Sequence, residues 1–500
     1  MMRSLFTGVA GLKTHQTRMD VIGNNIANVN TAAYKSQSMT FSDLMYQTTQ
    51  SASGANAETG RAGINATQIG LGSKTSSITT AIESQGGAQS TGNGWDIMIN
   101  GNAFFVVSDG ANNYFTRSGA FYLDGAGNLA MRSNGYTVMG WQADQETQTI
   151  IQDTVSPLRL KTPENMTADP EATTEGFIEG ILDKNADGFS NGEGVYTTMG
   201  FYDNLGYSYN VKFQFQPVLD ANGAPVEGQY TLGVTDILDS DGDSIAVRYW
   251  QQANVGNNPP TADTPWKDYS PEQKEAAREA MLNALGFGGT AGQNGTLTVV
   301  FDTTKDGKLQ NVYPGANPAA PPLTAFNFDL NGLSGMFPGF TDMNISIDMA
   351  TTKNVDNKGT PTVSGESGNA VTGLGKGRKV GAMDSITVQQ DGKIYASYDN
   401  GQTRLLGQIA VARFANPSGL QKEGDNLYSA TLNSGIFNGI GADITANGRD
   451  SMSSGYLEMS NVDLSAEFTE MITTQRGFQA NSRIITVSDT LLEELINLKR

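Results

Sequence analysis

Loops rich in acidic side chains are the first residues in this sequence whose spacing could bind a metal ion. DKNADGFSNGE at 183–193 places side-chain oxygens at the first, third and fifth positions of a calcium-binding loop. The twelfth position is Gly194, where a bidentate carboxylate is needed, and Glu193 lies one place early. We therefore expect acidic turns rather than metal sites, both here and in DSDGDS at 239–244.

The sequence offers little for nucleophilic or thiol chemistry. It has no cysteine and one histidine, His15, which excludes disulfides, thiolate zinc sites and cysteine nucleophiles. GDSI at 242–245 has the residue order of a short hydrolase motif, but His15 is the sole imidazole base and belongs to the N-terminal segment. We expect no catalytic residue, no metal and no cofactor, and hence a protein that is not an enzyme.

The charge balance excludes two classes of partner. The 51 acidic and 32 basic residues give a net charge of −19, which repels nucleic acid phosphates and anionic membrane surfaces. No run of 18 apolar residues could span a bilayer, and the start of the chain lacks the continuous apolar segment of a cleaved signal peptide. We expect no nucleic acid, no membrane insertion, and export, if any, by a route that reads no such signal.

The first 28 residues predict a helix with one apolar face. Its apolar residues recur at intervals of three, four and seven, namely Leu5, Val9, Leu12, Met19, Ile22 and Ile26. An asparagine-rich block follows at 23–31, with Asn24, Asn25, Asn28, Asn30 and Thr31. Asn side chains hydrogen-bond nearby backbone groups in place of the helix, so the block predicts a helix end and a loop.

The C-terminal residues 458–500 predict a longer helix with a similar stripe. Its apolar residues are Leu464, Phe468, Met471, Phe478, Ile485, Leu492 and Ile496, with Gln475, Ser482 and Asp489 at the remaining seam positions. Ser460 and Asp463 have the spacing of a capping box. We expect the two terminal stripes to bury each other or to pack against other copies; the alternative is two surface helices on one β core.

Between the termini the pattern is mostly that of short strands. Small polar residues at 29–70 predict an extended linker, and strand-turn patterns at 71–158 and 374–457 predict one discontinuous inner β domain. The insertion at 159–373 predicts an outer β domain, possibly of two subdomains, with a helix at 271–285. The predicted fold is mainly β with two α-helical termini, which pair in a coiled-coil-like manner while the β domains nest outward.

Both terminal segments resemble the paired signatures of the bacterial flagellar rod and hook family. The matching stretches are SLFTGVAGLKTHQTRMDVIGNNIANVNTAAYKSQSMTFSDL and SGYLEMSNVDLSAEFTEMITTQRGFQANSRIITVSDTLLEEL. The asparagine-rich block falls on a family motif, as do Ser460, Asn461 and Asp463. Ala33 stands where the family usually has Gly, and Gly477, Phe478 and Arg483 replace the commoner Ala, Tyr and Lys.

The length, the β insertion and the segment LLGQIAVARFANPSGLQKEGDNLYSATLNSG resemble the hook branch of this family. The resemblance implies a structural subunit that polymerises into a curved hollow tube outside the cell body, a universal joint that transmits torque from rod to filament. Its implied partners are further copies, the rod protein, the hook cap protein, the hook–filament junction proteins and the flagellar type III export apparatus. The alternatives are a distal rod protein of the same family and, from another class, a secreted adhesin or enzyme. Residues 220–325 align with nothing we know.

Overall fold

The computed structural model describes residues 2–54, 60, 62–145, 147–253, 269–286, 296–304, 306–314 and 322–498. It is mainly β with a long helix at each end, as the sequence predicts. The α-helices in these residues are α1 Met2–Ala27, α2 Asp187–Ser190, α3 Ala246–Ala253, α4 Pro271–Ala284 and α5 Leu464–Asn497. Short 3-10 turns cover Asn331–Leu333, Pro338–Phe340, Pro417–Gly419 and Ile444–Asn447.

The β-strands are, in chain order, β1 Gln37–Asp43, β2 Tyr46–Gln50, β3 Thr67–Gly70, β4 Ser73–Thr80, β5 Ala88–Ser90, β6 Ile97–Asn100, β7 Phe104–Ser108, β8 Asn113–Thr116, β9 Phe121–Leu123, β10 Leu129–Met131, β11 Thr137–Gln142, β12 Ser156–Pro157, β13 Thr167–Ala168, β14 Glu175–Ile181, β15 Val195–Tyr202, β16 Ser208–Leu219, β17 Pro225–Leu238, β18 Leu297–Phe301, β19 Leu309–Pro314, β20 Ala325–Asp329, β21 Asn344–Asp348, β22 Thr352–Lys353, β23 Ser364–Ser367, β24 Gly381–Val388, β25 Lys393–Tyr398, β26 Thr403–Ile409, β27 Val411–Ala412, β28 Gln421–Gly424, β29 Leu427–Ser429, β30 Ser451–Ser454 and β31 Tyr456–Glu458.

The chain divides into two compact units. Unit 1 comprises Met1–Met166, Asp384–Ser397 and Thr403–Arg500, and unit 2 comprises Thr167–Met383 and Tyr398–Gln402. These boundaries lie close to those expected at 158 and 374, but both terminal helices group with the inner β strands. That the helices form a domain of their own in an assembly stays a prediction.

The main sheet of unit 1 follows the order β25-β26-β11-β7-β8-β29-β28. Strand β7, FFVVS, is buried along its whole length, which fits a central strand covered on both faces. Beside it the core of unit 1 holds Phe115, Trp141 and Tyr428. Separate two-stranded pairings join β30 to β6 and β31 to β5, so the strands that lead into α5 are fixed to the N-terminal half of the unit.

The segment 29–70, expected to be an extended linker, contains the paired strands β1, β2 and β3, so that prediction is wrong for these strands; 55–59 and 61 lie outside the described residues. β1 pairs antiparallel with β4, from Gln37↔Thr80 to Asp43↔Ser73, and β2 pairs with β3. Hydroxyl pairs across the ladder help to hold it, with Ser38 and Thr79 Oγ atoms 3.0 Å apart. Because Ser and Thr dominate these strands, the apolar alternation that identifies a strand is weak.

Unit 2 contains the antiparallel sheet β15-β16-β17-β18-β19 and the mixed sheet β20-β21-β14-β22, with β23 also on β14. Side chains of both sheets, including Phe213, Phe328 and Ile345, share one core cluster. The predicted helix at 271–285 is confirmed as α4, with Ser270 and Gln273 forming a capping box. The segment 220–325, for which the sequence offers no resemblance, holds β17–β19, α3 and α4.

Helix α5 has 34 residues and so is about 51 Å long. The predicted capping box is wrong, because the N-cap residue is Asp463 rather than Ser460. Asp463 has extended φ and ψ of −94° and 103°, and its carboxylate accepts hydrogen bonds from the Ser465 and Ala466 amides. Ser460 lies too early, and its Oγ accepts from the Val462 amide instead.

Candidate assembly interface

Helices α1 and α5 lie side by side in unit 1 and run antiparallel, because the start of one contacts the end of the other. The Ser4 and Ser488 hydroxyl oxygens are 3.1 Å apart. Further along the pair, the Arg18 guanidinium donates to the Glu470 carboxylate at 2.9 Å. The terminal helices therefore meet within one chain, as the sequence predicts.

Glycines let the two helices approach closely. A Cβ at Gly11 would lie 2.7 Å from Asn481 Nδ2, and a Cβ at Gly477 would lie 2.7 Å from His15 Cε1. Each glycine lowers the stability of its helix by roughly 1 kcal/mol relative to alanine, but it allows closer contact between the two helices. Large side chains do not fit at this distance.

The seam of α5 that faces α1 differs in part from the predicted one. The seam has two positions that recur every seven residues. The first, at Met471, Phe478, Ile485 and Leu492, is half-buried, as expected. The second is occupied by Thr474, Asn481 and Ser488. The residues predicted for the second position are exposed in the single chain, with Phe468 at 50 % and Ile496 at 67 % and with Gln475 and Asp489 also exposed. Their packing against other copies stays a prediction. Of the small polar residues found at the second position, Asn481 lies against Gly11 of α1 and Ser488 lies against Ser4.

The predicted stripe on α1 is divided between two environments. Ile22 is buried, and Leu5, Leu12, Met19 and Ile26 are half-buried, whereas Val9 is exposed beside exposed Phe6. The buried side of α1 also contacts β1 and β4. The Arg18 guanidinium lies 5.3 Å from the Phe41 ring centroid, and the His15 ring lies 5.6 Å from it.

A second apolar stripe on α5 has no cover in the described chain. Its residues in the C-terminal half are spaced by three or four and each is more than two-fifths exposed: Ile484, Val487, Leu491, Leu495 and Leu498. Leu464, Phe468 and Ile472 are exposed in the N-terminal half. Contiguous exposed apolar residues on a helix mark a surface that binds another macromolecule.

Asn25 explains why asparagine is needed at the end of α1. It is buried, and its Nδ2 donates to the Gln37 carbonyl and to Glu467 Oε1, both at 2.8 Å. Its Oδ1 accepts from the Gln37 amide at 2.9 Å and from the Tyr34 hydroxyl at 3.2 Å. One side chain thus joins α1, the returning loop, β1 and α5, with an amide's paired donors and acceptor.

The other members of the block hold the turn itself. Asn28 Nδ2 donates to the Asn24 carbonyl at 2.9 Å, and the Thr31 hydroxyl donates to Asn28 Oδ1 at 3.1 Å. Asn24 Nδ2 donates to the Tyr34 hydroxyl at 3.1 Å, while Asn30 is exposed. A helix end and loop were expected here, and the structure places them at these residues.

Asn461 is the C-terminal counterpart of this arrangement. Its Oδ1 accepts from the Ser36 amide at 2.7 Å, and its Nδ2 donates to the carbonyls of Ala81 and Ser84 at 2.9 and 3.1 Å. The residues after α1 and those before α5 are therefore bonded directly to each other.

A buried triad of charged residues, which the sequence reasoning missed, lies at this junction. Lys35 Nζ donates to Glu458 Oε1 at 2.7 Å, and Arg117 Nε donates to Glu458 Oε2 at 3.2 Å. All three side chains are at most 2 % exposed. Lys35 also donates to the Ser84 carbonyl, and Arg117 Nη1 donates to the carbonyls of Gly101 and Ala103.

The electrostatics of the junction reflect its burial. Desolvation lowers the pKa of Lys35, an effect that the Glu458 carboxylate partly offsets. Between the helices, burial and the nearby Arg18 charge lower the pKa of His15, while burial raises the pKa of Glu467. No periodic pattern identifies the triad, since its members are 82 and 341 residues apart; the one available signal is that Lys35 and Glu458 lie a few residues from the two helices.

No metal-binding cluster of three or more His, Asp or Glu side chains is present in the part of the chain that the structure describes. Asp183, in the calcium-like loop, is buried and accepts the amides of Asn185 and Asn357. Asp239 likewise accepts the amides of Asp241 and Asp243. Among the described residues, none of the helices combines the length and apolar character needed to cross a bilayer.

The two terminal helices meet, carry an apolar stripe that nothing covers in the described chain, and are bonded at their bases to the β strands of unit 1, an arrangement that fits a structural subunit. Three family descriptions match the chain: "Flagella basal body rod protein" at 5–35, "Flagellar hook protein FlgE/F/G D1 domain" at 98–174 and "Flagellar basal body rod FlgEFG protein C-terminal" at 453–498.

Full-length relatives are similar to this chain from end to end. The flagellar hook protein FlgE of Treponema pallidum is 34 % identical and that of Borreliella burgdorferi 35 %, each over all of both chains. The Escherichia coli FlgE is 30 % identical over 98 % of both chains. The chain therefore belongs to the flagellar hook protein family and is a structural subunit of the hook rather than of the rod.

Proposed function

We propose that copies of this chain polymerise through α1 and α5 into the inner wall of a hollow tube that transmits torque while it bends. The observation that carries the proposal is the uncovered stripe Ile484, Val487, Leu491, Leu495 and Leu498 on α5. An apolar stripe of this length is stable in water only when another surface covers it, and neighbouring helices of the same kind would do so.

The predicted contact residues belong to two classes in this proposal. Leu5, Leu12, Met19, Ile22, Ile26, Met471, Phe478, Ile485 and Leu492 hold α1 and α5 together within one subunit. Val9, Leu464, Phe468 and Ile496, which are exposed in one chain, face neighbouring subunits together with the C-terminal stripe. In the proposed tube, contacts between neighbouring copies of unit 2 slide past each other and so permit curvature.

The proposed partners beyond further copies are the rod protein at one end of the tube and the hook cap and hook–filament junction proteins at the other. The chain is proposed to reach its place unfolded through the flagellar type III export apparatus. Support for both comes from the family membership. A strain that lacks a working type III apparatus should retain the chain inside the cell, and its appearance outside such cells would contradict this route.

The test of the assembly surface is Leu491→Asp. Leu491 is 51 % exposed in the monomer, so the change should alter monomer stability by only about 0.5 kcal/mol, as at ordinary surface sites. In the polymer it would bury an unpaired carboxylate at every subunit contact, so we expect no tubes by electron microscopy.

The matched control is Thr486→Asp, at an exposed α5 position roughly opposite the stripe at 100° per residue. It should form normal tubes. Normal tubes from Leu491→Asp would refute the stripe as the contact surface. Loss of tubes in both variants would also refute it, because the stripe would then be no more important than the opposite face.

A further inference from the structure

The triad Lys35, Arg117 and Glu458 lies where both terminal helices join the β strands of unit 1. We call residues 28–36, which follow α1, the N-terminal arm, and residues 455–463, which precede α5, the C-terminal arm. The arms touch along their length, since the Ala33 amide donates to the Glu458 carbonyl at 2.8 Å and the Ser36 amide donates to Asn461 Oδ1. Each arm contributes one charge to the triad, and Arg117, between β8 and β9, contributes the third.

The carboxylate of Glu458 is the centre of this arrangement. Its Oε1 accepts from Lys35 Nζ and from the Gly86 amide at 3.0 Å, and its Oε2 accepts from Arg117. Two buried cations thus share one anion. Without the C-terminal arm, Lys35 and Arg117 would face each other in a dry site without a counter-charge, a strongly unfavourable arrangement.

The converse also holds for the N-terminal arm. If Lys35 is absent from the site, Glu458 keeps Arg117 and the Gly86 amide, so the loss is smaller but still leaves a buried Oε1 with one partner fewer. The dependence of the arms on each other is therefore unequal: the N-terminal arm needs Glu458 more than the C-terminal arm needs Lys35.

We propose that this triad is a two-arm clamp, in which Lys35, Glu458 and Arg117 act as positioning residues that let the N-terminal arm dock only together with the C-terminal arm. The clamp delivers α1 and α5 to an assembling polymer as a registered pair, a role that rests on the proposed function above. Docking itself is a property of the single subunit and is measurable without any tube.

The experiment is hydrogen exchange on the full-length monomer of Glu458→Gln. The Ala33 and Ser36 amides report on the N-terminal arm, and the amides of β7, Phe104–Ser108, report on the core. Removing the shared charge should reduce protection of the N-terminal arm by about 100-fold or more, although the change lies in the other arm. Lys393→Met, which breaks the ion pair with Asp391 elsewhere in unit 1, should leave both arms protected.

The sign of the double variant distinguishes a clamp from ordinary packing. Lys35→Met with Glu458→Gln removes one stranded cation, so the arms should be about tenfold better protected than in Glu458→Gln alone. An N-terminal arm that stays protected in Glu458→Gln, or a double variant worse than either single one, would overturn the proposal.

If Glu458→Gln unfolds the core as well, Lys35→Met tests the clamp instead. It leaves the carboxylate with Arg117, so β7 should stay protected while the Met459 amide, which donates to the Gly87 carbonyl, exchanges about tenfold faster. Unchanged exchange there would overturn the clamp. If hydrogen exchange follows the pattern expected for the clamp but the subunits form no tubes, the result would count against the proposed function and leave the clamp standing.

Discussion

Replacing Asn25 with alanine should detach α1 from β1 and α5. The substitution leaves the Gln37 amide and carbonyl, the Tyr34 hydroxyl and Glu467 Oε1 without this partner. Tyr34 keeps the hydrogen bond that Asn24 donates, and Glu467 is near the surface, so the main cost comes from the two backbone groups of Gln37. At about 1–3 kcal/mol for each unsatisfied buried group, we expect a loss of about 2–4 kcal/mol.

The measurement is urea unfolding of the monomer followed by the helical circular dichroism signal, to which α1 and α5 contribute most of the described helical residues. Asn30→Ala is the matched control from the same block, because its side chain is exposed and the change should stay within about 0.5 kcal/mol. Equal midpoints for Asn25→Ala and Asn30→Ala would refute the assignment of Asn25 as the bonded junction residue.

Introducing a negative charge at position 25 tests the same contacts more closely. Asn25→Asp keeps the shape of the side chain but removes both N–H donors and places a carboxylate beside Glu467, so it should destabilise the helix pair at least as much as alanine. Adding Glu467→Gln supplies an amide donor to that carboxylate and should recover part of the loss. Absence of recovery would show that the contact between Asn25 and Glu467 at 2.8 Å contributes nothing.

Two further predictions concern the arms and the helix pair. Gly86→Ala should destabilise the docked C-terminal arm by about 1–3 kcal/mol, because the added methyl group would collide with the Met459 carbonyl. Gly87→Ala should be nearly neutral, because its methyl group would lie 3.9 Å from Met459 Sδ. Hydrogen exchange of the Met459 amide distinguishes the two variants. The lowered pKa of His15 means that the unfolded chain takes up the proton first, so the stability that neutral His15 provides is lost as pH falls below 6.5. The protection of α5 amides near Gly477, taken as their exchange relative to the intrinsic rate at each pH, should therefore fall between about pH 7.5 and 5.5, and should fall less in His15→Gln. An equal fall in both would contradict the role of His15.

The elements that the sequence predicts well are those whose signals are local. Residues 2–27 and 464–497 repeat apolar side chains with a helical period, and Ser270, Pro271 and Gln273 mark the start of α4 within the sequence itself. The predicted N-cap of α5 is wrong by three residues because Ser460 and Asp463 are both good N-cap residues. The extended backbone that decides between them depends on the pairing of β31 with β5.

The parts that the sequence does not predict are set by contacts between distant residues. Thr474, Asn481 and Ser488 belong to the α5 seam although they are polar, so a search for apolar periodicity passes over them. Asn481 lies against Gly11 of α1, and Ser488 lies against Ser4. The triad combines Lys35 with Arg117, 82 residues later in the chain, and with Glu458, a further 341 residues on, and only the folded chain brings them together. The strands of 37–50 escape detection because their side chains are mostly Ser, Thr and Gln.

The two faces of α5 have different proposed roles: one holds the subunit together, and the other holds the polymer together. Toward α1 it presents one apolar seam position and one polar seam position, and a hydrogen bond such as that between Ser4 and Ser488 contributes about 1 kcal/mol. Toward solvent it presents a second stripe of aliphatic residues. A pair of glycine-containing helices held in this way is marginal in an isolated chain, because most helical stability in proteins comes from packing of an apolar face. In the proposed tube that apolar energy is released only when neighbours cover the stripe. A free subunit therefore needs another means of keeping its helices in register, and the buried charges at their bases are placed where such a means would have to act.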